Sequence, residues 1–393
     1  MDDQADFLLP SPSLSPPPRP INRARTRPPN PQVQQYIEET LKSVASQILS
    51  EGQPAITLKR RVKRSNCTFI VNPSNGSLES TEAEKNITYT WPGKDGYEAW
   101  RFDVALRILS AIHKAVNSGL VISKRDIYYS DPIRFQSQSI VDIFVDDFAL
   151  TIGVDRSELN VEAAAKGLVT GYYQLITTTD EVIDARASTK DCLIPRVEDI
   201  SRIDTADVDW AVFRRLSRSN FHLRAAAGKG ILITGKGYPD LETRAFIRKL
   251  SNSILPSPSS PDKAPRFYAL VDGDPDGMSI MSTYKYGSMA HTRENNRLNL
   301  PCLRWLGLRM SDVVEGSQLG SDESLITLSK RDRRKIVSML AKSPVWAVDG
   351  PELEWRVELQ RMLMLNVKAE IEIEYDRVGG LEGWIDREMA REE

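Results

Sequence analysis

The sequence predicts a multidomain protein of mixed α/β and α+β class, in which a winged helix–turn–helix domain precedes a domain of alternating strands and helices. Three helical patterns between residues 97 and 150, followed by two strand-like pieces around Lys166-Gly167, predict the first domain. Alternation of strand and helix patterns from residue 205 predicts the second domain, with a mostly parallel sheet. A chain of 393 residues, 40% of them hydrophobic, is long enough to form both cores.

Composition restricts the possible functions. The formal net charge of −2 excludes a uniformly basic nucleic-acid coat, so any DNA contact must come from local basic patches. Cys67, Cys192 and Cys302 lie far apart with no CxxC spacing, which excludes a disulfide framework and a thiolate zinc site. A metal site would therefore consist of carboxylates, the ligands that magnesium or manganese prefers. No run of about 18 apolar residues is present, so we expect no membrane span.

The first 84 residues differ in composition from the rest. Residues 1–32 are rich in proline and serine and predict a disordered tail. Residues 33–84 contain an amphipathic helix over 33–51 and a basic linker with the run KRRVKR at 59–64. This run fits a nuclear-import signal or a DNA-facing patch, and equally a solvated strand edge.

Residues 85–200 carry the winged-helix pattern. An apolar stripe predicts a helix over 97–117, and Gly119 is placed to end it. Ser123 is placed to cap the next helix, and a third helix is predicted over 138–150. Three short helices followed by a hairpin form a DNA-docking module.

Tyr129 is the candidate nucleophile. The unperturbed pKa of a phenol is about 10, so it needs a nearby cation or base to act at neutral pH. Arg125 stands four residues earlier on the same helix face, where it can favour the phenolate or bind a phosphate through two hydrogen bonds. A tyrosine pair on a helix is also typical of a hydrophobic core.

Alternate aspartates follow an apolar strand in the stretch Val-Asp272-Gly-Asp274-Pro-Asp276-Gly. Carboxylates so close together repel each other unless a cation or solvent separates them. A hard divalent ion held by Asp272 and Asp274 would relieve the repulsion and leave water sites for a phosphate. The alternative interpretation is a polar turn.

A glycine-rich loop, TGKGYPD, lies between a predicted strand and a predicted helix. Its glycines allow backbone N–H groups and Lys236 to approach a phosphate, but the spacing of a P-loop is absent. Residues 214–249 around it hold nine Lys/Arg and two acids. We expect Lys236, Arg215 and Arg218 to contact DNA together with Lys166 of the wing, although helix faces are also basic for solubility alone.

Five of these segments together resemble a known family. The matching stretches, in order over residues 85–340, are SKRDIYYSDPIRFQSQSIVDIFVDDFA, KGLVTG, ITGKGYPDLETR, ALVDGDPDGMSIMSTYKYGS and LRWLGL. They resemble the meiotic double-strand-break transesterases of the sporulation-eleven type, which are relatives of the A subunit of type VI DNA topoisomerases.

The resemblance implies a winged-helix domain in which Tyr129, with Arg125 beside it, attacks a DNA phosphate to give a 5′-phosphotyrosyl link. Residues 205–393 then look like a Toprim domain whose Asp272 and Asp274 bind Mg²⁺. The family acts on double-stranded DNA as a homodimer, with the tyrosine of one protomer facing the metal of the other. The resemblance also implies meiotic break formation in the nucleus, away from membranes, together with other meiotic break factors and a B-type topoisomerase-like subunit.

The sequence departs from the family in one segment. A Toprim domain is expected to open with an apolar strand that ends in a metal-binding glutamate, but ADVDW is followed directly by AVFRRL. About seven residues, the length of one strand, are missing between Trp210 and Ala211. No glutamate lies between Asp199 and Phe213. Asp276 also stands where we expect a histidine or an aromatic residue.

Two other functions stay open. The missing glutamate favours a non-catalytic DNA-binding or scaffold member of the break-forming complex, since two aspartates alone hold magnesium poorly. The intact Arg125–Tyr129 and Asp272–Asp274 pairs favour the cleaving enzyme. A free-standing topoisomerase subunit of the archaeal type is disfavoured by the proline-rich tail and the KRRVKR run.

Overall fold

A computed structural model describes most of the chain, as two compact units. The described residues are 27–61, 69–80, 84–162, 166–186, 192–205, 208–209, 216–217, 219–253, 266–316, 325–375 and 377–391. Unit 1 comprises residues up to Leu58 together with Thr88–Glu162, and unit 2 comprises Lys59–Ile87 together with Ala163–Glu393. The chain therefore passes from unit 1 to unit 2 inside the segment 85–200 that the sequence assigns to the winged-helix domain.

Helices of very different length occur in both units. The α-helices of the described part are α1 (Pro31–Leu49), α2 (Gly96–Ser118), α3 (Lys124–Ser130), α4 (Pro132–Phe135), α5 (Gln138–Ile152), α6 (Leu241–Ser253), α7 (Pro275–Lys285), α8 (Thr292–Leu298), α9 (Met310–Gly316), α10 (Lys330–Lys342), α11 (Leu353–Leu365) and α12 (Gly380–Arg391). Within the described ranges, no helix combines the length and the apolar character needed to cross a membrane.

The strands are short. Those of the described part are β1 (Ala55–Arg61), β2 (Phe69–Val71), β3 (Leu78–Ser80), β4 (Glu84–Thr90), β5 (Ile122–Ser123), β6 (Val161–Glu162), β7 (Leu168–Gly171), β8 (Gln174–Thr177), β9 (Val182–Asp184), β10 (Cys192–Leu193), β11 (Ile200–Asp204), β12 (Val208–Asp209), β13 (Lys229–Thr234), β14 (Phe267–Ala269), β15 (Leu303–Trp305), β16 (Leu325–Thr327) and β17 (Val367–Ala369).

The last residues of the predicted tail 1–32, from Arg27 onward, are described as part of unit 1. Residues 1–26 lie outside the described part of the chain. The backbone N–H of Arg27 donates to the carbonyl oxygen of Gly119 at 2.7 Å. Asn30 caps α1 by accepting from a backbone N–H of the first turn at 2.9 Å. The proline-rich segment therefore overlaps the start of α1 at Pro31, because a proline is compatible with the first helical position.

The predicted helices of unit 1 are confirmed. α2 begins after its cap at Asp95 and ends at Gly119, whose φ of 68° is a left-handed conformation that glycine adopts without strain. Helices α1, α2 and α5 contact one another. Ile112 of α2 and both Phe144 and Phe148 of α5 are fully buried. Burial of these apolar faces, rather than helix propensity alone, stabilises the three helices.

The hairpin predicted around Lys166-Gly167 is wrong. β6 pairs in parallel with β5, whereas β7 pairs in antiparallel fashion with β10 and β13. The physical reason is burial, because β13 is an apolar strand and its pairing with β7 encloses Val169 and Ile231. β7 is consequently part of unit 2.

The sheets of unit 2 place the loops that carry polar residues. One sheet has the order β10-β7-β13-β12, in which β13 runs parallel to β12 and antiparallel to β7. β14 and β15 form a separate parallel pair, and β11, β8 and β9 form an antiparallel sheet. The expected parallel pairing thus occurs in part of unit 2, within a mixed arrangement. Residues 211–221, where the strand–helix alternation predicts a helix that begins AVFRRL, fall largely outside the described residues.

Candidate active site

Tyr129 lies near the end of α3, a helix whose start is fixed by a capping box. Ser123 Oγ accepts from the Asp126 N–H at 3.0 Å, and Asp126 Oδ2 accepts from the Ser123 N–H at 2.8 Å. Ile127 is buried and anchors the helix. The side chain of Tyr129 is 62% exposed, which excludes the alternative that it is a core residue.

Arg125 lies beside Tyr129. Its guanidinium carbon is 6.0 Å from the centre of the Tyr129 ring, and the centre of the half-buried Tyr128 ring is 5.2 Å from that of Tyr129. A guanidinium in this range interacts favourably with the ring by roughly 0.5–1 kcal/mol at an exposed site. The helix therefore presents a cation and a phenol to solvent side by side.

Ion pairs hold α3 against the rest of unit 1. Lys124 Nζ lies 2.9 Å from Asp146 Oδ1 and 3.5 Å from Asp142 Oδ1, and both aspartates belong to α5. Arg156 Nε lies 2.8 Å from the same Asp146 oxygen. Since Lys124 begins α3, these contacts and the burial of Ile127 fix the orientation of the helix that carries Tyr129.

Asp272 and Asp274 lie in the connection between β14 and α7 in unit 2. Asp274 is the N-cap of α7, with its Oδ1 accepting from the Gly277 N–H at 2.6 Å. Asp272 Oδ1 accepts from the Ile371 N–H at 3.0 Å, a partner 99 residues further along the chain. The acidic pair is therefore positioned by one local and one long-range hydrogen bond.

The surroundings of Asp272 disfavour its negative charge. Burial raises the pKa of the Asp272 carboxyl, and the charges of Asp274, Glu372 and Glu370 raise it further. The hydrogen bond from the Ile371 N–H opposes this increase in the pKa. A cation bound at this place would gain favourable interactions with several carboxylates at once.

Lys368 supplies part of the compensating charge. Its Nζ lies 3.8 Å from Asp274 Oδ2 and 3.4 Å from Asp332 Oδ2 on α10. Lys368 is thus paired with Asp274 of the acidic pair and with the buried Asp332 of α10.

The chemistry of the acidic pair fits magnesium. Mg²⁺ usually keeps several waters and binds through one or two carboxylates plus a substrate phosphate. Asp272 and Asp274, each oriented by a backbone hydrogen bond to its Oδ1, are the residues that would hold the ion. No group of three or more His, Cys, Asp or Glu side chains is arranged to hold a metal ion in the part of the chain that the structure describes.

The glycine-rich loop makes a sharp turn after β13. Lys236 has a φ of 51° and Gly237 a φ of 91°, and the Lys236 N–H donates to Thr234 Oγ1 at 3.1 Å. Left-handed backbone at two successive residues exposes the Lys236 side chain and backbone at the strand end. The loop therefore presents the exposed Lys236 side chain at the end of β13, as a phosphate contact requires.

Two of the four predicted DNA-binding residues lie at this loop. Asp240, which ends the loop, accepts a hydrogen bond from the Lys166 N–H at 3.0 Å, and this links the segment of Lys166 to that of Lys236. The side chains of both lysines are exposed. Arg215 and Arg218 fall outside the described residues.

A cleft lies between β13 and β14 in unit 2. Beyond the two residues of β12, no described strand pairs with this edge of β13, and none joins it to β14. A cavity of about 500 Å³ lies here, and its lining includes Ile231, Ile233, Phe267, Val271 and Asp272. The cavity therefore reaches Asp272 of the acidic pair.

Asp276 is held by cations of α10. It forms an ion pair with Lys335, and Arg331 lies 3.9 Å from it. The family resemblance predicts a histidine or an aromatic residue at this position and does not predict these ion pairs. The basic run SKRDRRK, readable in the sequence at residues 329–335, was the signal that could have revealed it.

Two family descriptions match the chain. Residues 100–161 match that of the type IIB DNA topoisomerases. Residues 209–376 match that of the Toprim domain found in Spo11 and in the A subunit of topoisomerase 6. The first match contains Arg125 and Tyr129, and the second contains the acidic pair.

Several characterised proteins are similar to most of the chain. The meiotic recombination protein rec12 of Schizosaccharomyces pombe is 35% identical over 86% of this chain and 90% of its own length. The human meiotic recombination protein SPO11 is 31% identical over 86% of this chain and 81% of its own length. The A subunit of DNA topoisomerase 6 from Arabidopsis thaliana is 31% identical over 68% of this chain and 60% of its own length.

Proposed function

The chain belongs to the family of SPO11-type meiotic recombination proteins and topoisomerase 6 A subunits, and we propose that it forms DNA double-strand breaks in meiosis by transesterification. The observation that carries the proposal is the exposed Tyr129 on the capped helix α3, with the Arg125 guanidinium 6.0 Å from the centre of its ring.

Tyr129 supplies the attacking oxygen. Its hydroxyl oxygen bonds to a backbone phosphorus, the bond from that phosphorus to the 3′ oxygen breaks, and the phenolic proton ends on the departing 3′ hydroxyl. The product is a 5′-phosphotyrosyl link that retains the energy of the phosphodiester. Arg125 either favours the phenolate or holds the phosphate, since a guanidinium can do both.

Asp272 and Asp274 are the proposed holders of Mg²⁺. When bound, the ion would position the DNA and neutralise charge that develops on the phosphate. The crowding of Asp272 by Glu370 and Glu372 supports this role, because such crowding favours a bound cation. Lys236 and Lys166 are assigned phosphate contacts beside the acidic pair.

The proposed active form is a homodimer on double-stranded DNA in the nucleus, in which each Tyr129 cuts one strand. Arg215 and Arg218 remain sequence-based candidates for DNA contacts. The names of the relatives, meiotic recombination proteins and the A subunit of a topoisomerase, support a meiotic role and a second subunit of B type. Other meiotic break factors are further proposed partners.

A non-catalytic DNA-binding or scaffold role is the second candidate. The cleft beside Asp272 and the absence of a glutamate between Asp199 and Phe213 favour it. Two carboxylates bind a divalent ion more weakly than three, and weak metal binding would limit cleavage.

Covalent trapping on DNA distinguishes these candidates. The purified full-length chain is incubated with 3′-end-labelled duplex DNA and Mg²⁺, denatured with detergent, and analysed for labelled protein. We expect adducts from the wild type and from the matched control Tyr128→Phe, and none from Tyr129→Phe. Adducts that persist in Tyr129→Phe would contradict the assignment of the nucleophile. DNA binding without adducts in all three proteins would favour the scaffold role.

A further inference from the structure

The first two turns of α10 carry a strong positive charge. Residues 330–335 include five Lys/Arg and one acid. Lys330, Arg331 and Arg334 are exposed, and Arg331 is 82% exposed at its side chain. These three residues are called the α10 basic face.

The stability of α10 does not explain this charge. The N-terminal end of a helix carries partial positive charge, so basic residues in the first turns are electrostatically unfavourable. Lys330 and Arg334 are four residues apart, as are Arg331 and Lys335, and like charges at this spacing destabilise a helix. The helix is stabilised instead by the capping box of Ser329 and Asp332. A bound polyanion would relieve the repulsion.

Contacts within unit 2 place the α10 basic face beside the acidic pair. Lys335 Nζ donates to the hydroxyl of Tyr238, in the glycine-rich loop, at 2.8 Å and pairs with Asp276 at the start of α7. Lys368 connects Asp274 to Asp332 of α10. The helix is therefore tied both to the loop of Lys236 and to the candidate metal ligands.

We propose that the α10 basic face binds phosphates of the DNA duplex that flank the bond to be cut. This inference rests on the proposed function and extends its DNA-binding surface beyond the predicted residues. Exposed Lys and Arg fit a phosphate backbone, because protein–DNA interfaces are rich in positive charge.

Binding of duplex DNA to the full chain tests this surface. All proteins carry Tyr129→Phe, so binding is measured without cleavage. The α10 variant is Lys330→Gln/Arg331→Gln/Arg334→Gln, and its charge-matched control is Lys42→Gln/Lys94→Gln/Lys114→Gln, three exposed lysines of unit 1. Fluorescence anisotropy over a range of salt concentrations gives the affinity and its salt dependence, and thermal unfolding shows that both variants are folded.

We expect the α10 variant to bind at least about 10-fold more weakly at physiological salt, for every DNA sequence alike, and to lower the salt slope by about two to three. The control should stay within about threefold of its parent, since it changes only the overall charge. Equal affinity of the two variants would overturn the inference. If the α10 variant alone loses DNA binding while the wild-type chain forms no Tyr129 adducts in the separate trapping assay, this surface stands and the proposed chemistry fails.

Discussion

The helix of Tyr129 and the loop of Asp272 and Asp274 are built in opposite ways. A local capping box and ion pairs with the nearby helix α5 fix the helix of Tyr129, which leaves the side chain exposed beside one cation. The acidic loop is half-buried, crowded by Glu370 and Glu372, and positioned by a partner 99 residues away. The proposed nucleophile thus depends on contacts within about 30 residues of the chain, whereas the proposed metal-binding pair depends on contacts almost 100 residues away.

The largest effect is expected at Asp274, where two substitutions separate charge from structure. Asp274→Asn removes the charge but retains a side chain that caps α7, while Asp274→Ala removes both. We expect both variants to lower the adduct yield by about 100-fold or more, because charge compensation of the phosphate contributes several kcal/mol. Only Asp274→Ala should also lower the free energy of unfolding, by about 1 kcal/mol.

Trapping assays and denaturant unfolding measure the two effects of Asp274. A normal adduct yield from Asp274→Asn would show that the acidic pair takes no part in cleavage. Equal destabilisation by both substitutions would show that the cap hydrogen bond is not the structural role of this residue.

A smaller effect is expected at Arg125. Arg125→Gln should lower the adduct yield by about 10- to 100-fold, as expected for the loss of an interaction with a charged group. The free energy of unfolding should change by no more than about 0.5 kcal/mol, since the side chain is exposed. Arg125→Lys serves as the matched control and should retain part of the activity, because a lysine keeps the charge without the bidentate geometry. A large loss of stability in Arg125→Gln would instead assign the residue a structural role.

Substitutions in the capping box of α3 test whether local sequence alone positions Tyr129. Ser123→Ala should destabilise unit 1 by about 1 kcal/mol, whereas Ser123→Asn should retain most of the stability. Chemical denaturation monitored in both variants measures the difference. Equal stability of the two variants would mean that packing of Ile127 and the ion pairs of Lys124, rather than the cap, hold the helix.

The smallest effect concerns a carboxyl far from the acidic pair in the sequence. Burial raises the pKa of Glu388, and Asp312 raises it further, against the opposing charge of Arg391. The folded state thus binds this proton more tightly than the unfolded state, so the free energy of unfolding falls as pH rises through and above the ordinary range of Glu.

Glu388→Gln should remove this dependence and stabilise the chain by up to about 0.5 kcal/mol at pH 7, with a smaller gain at pH 5. Thermal unfolding at both pH values measures the gain, with Glu382→Gln on the same helix as the control. A gain that is larger at pH 5 than at pH 7 would contradict the direction of the pKa shift. Such a result would also show that crowding of buried carboxylates has no cost in unit 2.

The helices of unit 1 could be predicted because their signals are local. Ser123, Gly119 and the apolar stripe of α2 each act within a few residues, and the structure confirms them. The wing could not be predicted correctly, since the partner of β7 is β13, about 60 residues away. Periodicity shows that a segment is a strand but not which strand it joins.

For the acidic pair, too, the sequence reveals the residues but not their long-range partners. The repulsion between Asp272 and Asp274 is readable from their spacing. Their partners Ile371 and Lys368 are not, because neither the sequence distance nor the composition of that segment indicates proximity. The departure from the family after Trp210 could be predicted from the sequence, whereas the cavity that reaches Asp272 is visible only in the fold.

Thermal unfolding with and without Mg²⁺ tests most directly whether the acidic pair is a charge-crowded site that binds a cation. The full chain is compared with Asp272→Asn/Asp274→Asn at constant ionic strength. We expect Mg²⁺ at tenfold its dissociation constant to stabilise unit 2 of the wild type by roughly 1.4 kcal/mol, and the double variant not at all. Without Mg²⁺ the double variant should be at least as stable as the wild type, because the repulsion at Asp272 is gone. A wild type indifferent to Mg²⁺, or a double variant less stable without it, would contradict the account of the acidic pair as a charge-crowded site that binds a cation.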